Sequence, residues 1–146
     1  MTYFHLAIPV FHLEDSRHFY QDILGCTLGR TAPRWIDINF WGHQVSLHLV
    51  DRNDKEIEHT NAVDSDTVPV RHFGLILSWD DWQQLKDNLK QGEYAAEISW
   101  VIAPKIRFQG EVGEQATMFI RDPSGNVLEF KAFQNERMIF EAAEKE

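Results

Sequence analysis

The sequence predicts an α+β fold built from two copies of a strand–helix–three-strand module, and three observations carry that expectation. Short β-like apolar runs alternate with two amphipathic helical segments, one in each half. Each helical segment closes on a glycine, Gly25 and Gly92. A shift of 67 residues lays His5-Leu6-Ala7 on His72-Phe73-Gly74 and Gly25 on Gly92, and a shift of 83 lays Gly42 on Gly125 and Ser46 on Glu129. The expected organisation is one domain over residues 1–146, with module 1 at about 3–50, an acidic linker at 51–69, module 2 at about 70–133 and a tail at 134–146. Each half is smaller than a comfortable independent core, so the halves are expected to work together.

The elements follow in order. Tyr3 to Val10 reads as a strand, and Asp15 or Ser16 can cap the helix that carries Phe19, Tyr20, Ile23 and Leu24. Leu28–Arg30, Trp35–Phe40 and His43–Val50 read as strands, with Trp41-Gly42 as a turn. The stretch 51–69 holds Asp51, Asp54, Glu56, Glu58, Asp64 and Asp66, shows no periodicity and reads as a connection. Val70 to Ser78 reads as one strand, and Asp80 or Asp81 as the cap of a helix with Trp82, Leu85 and Leu89 on its apolar face. Glu97–Ile102, Lys105–Phe108, Thr117–Arg121 and Asn126–Phe133 complete the strands, the last two joined at Asp122-Pro123-Ser124-Gly125. The tail, with its apolar cluster Met138-Ile139-Phe140, reads as a docked helix or a frayed end.

Composition narrows the function. With 14 Lys and Arg against 23 Asp and Glu the net charge is −9, which argues against a phosphate-backbone binder. No run approaches the roughly 18 apolar residues of a membrane span. The lone Cys26 allows neither an internal disulfide nor a four-cysteine zinc site, and no signal peptide is legible at the start. A cytoplasmic protein acting on a small molecule, with no nucleic-acid or membrane partner, is the expectation.

Seven histidines are many for this length, and position selects among them. His5 and His72 fall in the first strand of each half, and Glu129 falls in the last strand. If a pseudo-twofold relates the halves, both histidines face one cleft. Ala7 and Gly74, two residues beyond, leave space there. An unpaired carboxylate inside Val127-Leu128-Glu129-Phe130 would be expensive to bury, and a cation would relieve that cost. Two His and one carboxylate suit non-haem Fe(II) first, with Zn, Mn and Ni as alternatives.

Three segments together, Phe4–Val10, Ser16–Gly25 and Phe119–Phe130, resemble the vicinal oxygen chelate superfamily of glyoxalases, extradiol dioxygenases, and fosfomycin- and bleomycin-resistance proteins. The resemblance covers residues 3 to 133. It implies two βαβββ modules forming a curved, mixed eight-stranded sheet around a central cleft, with His5, His72 and Glu129 at the metal-ligand positions. Departures matter too. Where glyoxalase I has a second Glu, this chain has Ser46, and where extradiol dioxygenases have a catalytic Tyr, it has Phe119. His48, two residues past Ser46, is the candidate for proton transfer or a fourth ligand. His43, Gln44, Ser46, Trp35 and Phe119 are candidate substrate contacts, with Phe40 and Trp100 as further aromatic candidates. The expected activity is a metal-dependent, dioxygenase-like reaction on a small substrate with vicinal oxygens, such as a catechol. A glyoxalase-type isomerase or lyase, and a non-catalytic binding or resistance protein, are the alternatives. Module pairing into a homodimer is a further expectation.

Overall fold

Period-two alternation shapes the first half. β1 (His5–Val10) buries Ile8 and Val10 and leaves His5, Ala7 and Pro9 exposed. A short α1 (Leu13–Arg17) runs on into a π-helical segment, His18–Ile23, and together with Leu24 they bury Ser16, Phe19 and Tyr20. The helix begins earlier than its expected caps. His12 holds the N-cap position, Ser16 Oγ donates back to the His12 carbonyl at 2.7 Å, and Asp15 sits in the first turn, where a negative charge suits the helix dipole. Gly25 then turns the chain at φ +78°, a conformation costly for any residue with a Cβ. β2 (Thr27–Ala32), β3 (Trp35–Phe40) and β4 (His43–Leu49) complete a mixed four-stranded sheet of order β1-β4-β3-β2, with β1 parallel to β4.

The computed structural model describes residues 1–52 and 57–142, so Asp54, Glu56 and the last four residues of the tail lie outside them. The chain divides into two compact units, Met1–Ile57 with Asp122–Asn126 and Glu58–Arg121 with Val127–Glu146. In the first, Asp122 closes its own turn by accepting from the Ser124 and Asn126 amides, each at 2.9 Å. Its other oxygen accepts from the buried Tyr20 hydroxyl at 2.8 Å and from Asn126 Nδ2 at 2.9 Å.

The second unit repeats the plan. β7 (Phe73–Leu77), α2 (Trp79–Gln91), β8 (Ser99–Arg107), β9 (Gln115–Arg121) and β10 (Val127–Phe133) give a mixed sheet of order β7-β10-β9-β8 with β7 parallel to β10. The chain is thus an α+β fold of two βαβββ modules, its eight principal strands arranged as two four-stranded mixed sheets. Trp82 anchors α2 through its indole N–H, which donates to the Phe130 carbonyl at 2.8 Å.

Four expectations are corrected here. The stretch 51–69 is not all connection, because β5 (His59–Val63) and β6 (Asp66–Val70) form an antiparallel hairpin. Its turn residues Asp64 and Ser65 take φ +43° and +69°, the left-handed pair of a type I′ turn. The stretch expected as one strand over Val70–Ser78 is broken, since β6 ends at Val70 and β7 starts at Phe73. The two runs expected at 97–108 are a single edge strand, β8, whose register shifts on either side of Ile102 as it accommodates Pro104, which lacks an amide donor. Ser78, extended at ψ 158°, caps α2 by accepting from the Asp81 amide, so neither Asp80 nor Asp81 is the cap. In the tail a 3-10 turn spans Glu136–Ile139. Among the described residues no helix is long and apolar enough to cross a membrane.

Candidate functional site

Strand register sorts the first unit's side chains into two faces. His5 pairs with Gln44, Ala7 with Ser46 and Pro9 with His48 along β1 and β4. Gln44 pairs onward with Asn39, Ser46 with Asp37 and His48 with Trp35 along β4 and β3. These nine residues share one face. Ile8, Val10, Ile36, Ile38, Val45 and Leu47 occupy the other and form the core with the helix. Phe40 falls on that core side too, 3% exposed and edge-on to Trp41, so it is a packing residue.

The polar face holds a cavity of about 510 Å³ lined by Tyr3, Phe4, His5, Gly29, Arg30, Asp37, Ile38, Asn39, Gly42, His43 and Gln44. That volume is within the range of small-molecule sites. His5 and the candidate contacts His43 and Gln44 belong to it. His43 is oriented by the Phe4 amide, which donates to its Nδ1 at 3.1 Å, and its ring lies edge-on to Phe4. Ser46 is drawn into a different role. It is 5% exposed, and its hydroxyl donates to Asp37 Oδ1 at 2.5 Å. Trp35 lies beneath the Arg30 guanidinium, 5.3 Å from Cζ to the ring centroid. His48 is exposed on the His5 face of β4.

In the second unit Glu129 pairs with Gly74 on β7 and Phe119 on β9. Gly74 is small for a different reason from the one expected: a Cβ there would collide with the Glu129 carbonyl oxygen, so the glycine admits a neighbouring backbone and does not open a space. His72 sits just before β7, outside the strand. Its Nε2 lies 3.3 Å from Glu129 Oε1, its Nδ1 lies 2.6 Å from the Pro69 carbonyl, and its ring meets Phe119 edge-on at 5.0 Å. Thr117 donates to Glu129 Oε2 at 2.6 Å, and Lys131 Nζ stands 4.0 Å from Oε1. The hydrogen bond to Glu129 raises the His72 pKa above the usual imidazole range against the opposing effect of burial, with the Pro69 carbonyl adding to it. Burial pushes Glu129 up, but the bonds from His72 and Thr117 and the Lys131 charge bring it below the usual carboxylate range.

Within either unit, among the described residues, no three His, Cys, Asp or Glu side chains form a metal-ligating group. The pair His72–Glu129 does fit one. To hold an ion, His72 would give up the Nε2 proton it directs at Glu129 and turn that lone pair to the metal while Nδ1–H stays on the Pro69 carbonyl, the outer-partner arrangement usual for ligating histidines. Two donors about 2.1 Å from one ion at right-angled to tetrahedral positions stand about 3.0–3.4 Å apart. The observed 3.3 Å lies in that range. Phe119, 1% exposed, packs with Val68, Ile102 and Val127 and presents its ring to His72. Trp100 pairs with Ile120 on β9, one register step from Phe119.

Asp37, Thr117 and Arg30 are not among the candidates the sequence offers. The signal for Asp37 was present: in Trp35-Ile36-Asp37-Ile38-Asn39-Phe40 the alternation puts the acid on the face opposite the isoleucines. Thr117 has no such signal, because its reach to Glu129 depends on cross-strand register.

Comparison with known proteins agrees with this architecture. Residues 2–130 match the model of the Glyoxalase/Bleomycin resistance protein/Dioxygenase superfamily. A solved glyoxalase/bleomycin resistance protein/dioxygenase from Alicyclobacillus acidocaldarius is 35% identical, with a TM-score of 0.77 over 95% of this chain and 96% of that one. A genomically encoded fosfomycin resistance protein from Listeria monocytogenes (15% identity, TM-score 0.66, 94% and 98% covered) and a lactoylglutathione lyase from Agrobacterium tumefaciens (16%, 0.57, 90% and 92%) share the fold. No protein of curated function matches the sequence.

Proposed function

Because the chain belongs to the Glyoxalase/Bleomycin resistance protein/Dioxygenase superfamily, we propose that it is a metal-dependent, dioxygenase-like enzyme acting on a small substrate with vicinal oxygens, such as a catechol. The observation that carries this reading is the His72–Glu129 pair, with donor atoms 3.3 Å apart and each side chain held from behind by Pro69 or Thr117. His5, exposed at the start of β1, is the third ligand in the proposal. The ion is Fe(II), which when bound supplies Lewis acidity and a template for two adjacent oxygens.

This chain's own residues do the rest. His48, exposed on the His5 face of β4, accepts the substrate hydroxyl proton. Tyr3 and Phe4 give the cavity its aromatic wall, and Gln44 and His43 supply polar contacts to the ring substituents. Phe119 keeps water from the back of the His72 ring. The protein works in a reducing cytoplasm as a homodimer, the latter checked by light scattering.

The test is metal analysis of protein purified anaerobically with Fe(II), followed by oxygen uptake on a panel of catechols. About one equivalent of metal, lost in Glu129→Ala, and ring-cleavage product lost in His48→Ala are expected. Metal without oxygen uptake on any catechol would sink the dioxygenase assignment, and thiohemiacetal turnover with Zn or Ni would replace it with the isomerase reading. Protein that takes up no metal would be a small-ligand binder instead.

A further inference from the structure

The first unit's cavity contains a group the metal centre does not use. Asp37 is 7% exposed, on the floor of β3, and lines the same cavity as Tyr3, Phe4, His5 and His43. A carboxylate has about four acceptor positions. Here one is filled well, by the Ser46 hydroxyl at 2.5 Å, and one weakly, by Gln44 Nε2 at 3.4 Å. Among the described residues the nearest cation, Arg30 Nε, stands 3.9 Å away on a side chain that is 83% exposed, where solvent screens it. That guanidinium rests over Trp35. A buried charge with so little compensation is costly, and a ligand donor entering the cavity would relieve the cost.

We propose that Asp37 is the specificity-determining residue of a subsite for a protonated amine on the substrate, with the Tyr3, Phe4 and His43 rings flanking the cationic end. Three features of the chain favour a cation over other donors. The carboxylate offers a charge-assisted hydrogen bond. The aromatic faces attract a positive charge. The net charge of −9 draws cations toward the protein and repels anions. Ser46 is then a positioning residue, its hydroxyl fixing the carboxylate rotamer on the adjacent strand. The inference deepens the proposed function, since it names the substrate class for a cavity that includes His5, and it rests on that reading.

Calorimetric titration of metal-free protein with 2-phenylethylamine, its neutral isostere 2-phenylethanol and the anion 3-phenylpropanoate tests it without any turnover. The amine is expected to bind at least about tenfold more tightly than the alcohol, the anion least. Asp37→Asn, which retains an acceptor for Ser46, should remove the amine's advantage while leaving alcohol binding and the melting temperature close to wild type. Arg30→Gln should strengthen amine binding a few-fold by removing a competing cation. Equal binding of amine and alcohol, an unaltered amine preference in Asp37→Asn, or weaker amine binding in Arg30→Gln would each overturn the proposal. Should Asp37→Asn bind neither probe, circular dichroism decides: an intact fold upholds a ligand role, and a lost fold passes the test to Asp37→Glu, whose longer carboxylate must keep the amine preference. Metal content of the holoprotein separates the two readings. Loss of metal in Asp37→Asn would make Asp37 a ligand and end the amine subsite. Absent metal in the wild type would end the proposed function and leave the amine result standing.

Discussion

Gly74 and Cys26 show how one position can be governed by its immediate surroundings. Gly74 lies directly beside the Glu129 backbone, and a Cβ would collide with that carbonyl. Gly74→Ala should therefore force β7 and β10 apart and cost about 1–3 kcal/mol, the range for overpacking. Urea denaturation would show it, and a midpoint unchanged from wild type would contradict the close approach. At Cys26, 7% exposed, burial alone pushes the thiol up to about 12. The thiolate is the reactive form, so the native protein should resist a disulfide exchange reagent and release one equivalent only after unfolding. Rapid labelling of the folded protein would refute this. Neither residue announced its constraint in the sequence. His5 and His72 stand out in the sequence as histidines at matching places in two halves, Glu129 as a carboxylate in an apolar run and Asp37 as the acid opposite two isoleucines, whereas Thr117 acquires meaning only from cross-strand register.

At the scale of elements, legibility followed burial. β1, β3, β4 and β10 each bury side chains on at least one face, and alternation placed them within a residue or two. The β5–β6 hairpin has almost no buried face of its own, so its polar sequence concealed it. What holds it lies elsewhere in the second unit. Asp66 Oδ2 meets Lys105 Nζ at 2.8 Å and Arg107 Nη2 at 2.9 Å, Arg107 Nη1 donates to the Val63 carbonyl at 2.8 Å, and Val68 joins the cluster of Ile102, Phe119 and Val127. The Arg107 side chain is only 4% exposed, so removing its carboxylate partner strands a buried charge. Asp66→Asn should cost about 3 kcal/mol, while Lys105→Met, at a side chain 34% exposed, should cost less than about 1 kcal/mol. Chemical denaturation of both variants checks the order, and a larger loss from Lys105→Met would show that the buried arginine is not the anchor. The same hairpin carries Pro69, whose carbonyl orients His72, so an element hidden in the sequence supports a residue that the match between the two halves singles out.

For the whole molecule, opposite pKa shifts give stability a pH dependence that two substitutions can separate. Burial holds Asp122 above the usual carboxylate range despite the bonds from Asn126, Tyr20 and Ser124. A raised folded-state value means the folded protein keeps its proton longer than the unfolded chain. That contribution is full below the unfolded value of 3.8 and declines as pH rises through the folded one. Glu58 runs the other way. Its bidentate bond with Arg121, 2.8 and 3.0 Å, lowers its pKa, so its contribution is present above the unfolded value of 4.5 and disappears as pH falls through the folded one. The wild-type advantage over Asp122→Asn should shrink as pH rises above about 4, whereas its advantage over Glu58→Gln should grow as pH rises toward 4.5 and stay level above it. Because Glu58 is solvent-exposed, its effect should be the smaller and should weaken in salt, while the buried Asp122 effect should persist. Unfolding free energies of the three proteins between pH 3 and 7, at low and high salt, measure both slopes. Parallel slopes for the two variants would show that neither carboxyl group differs between the folded and unfolded chain in the stated direction.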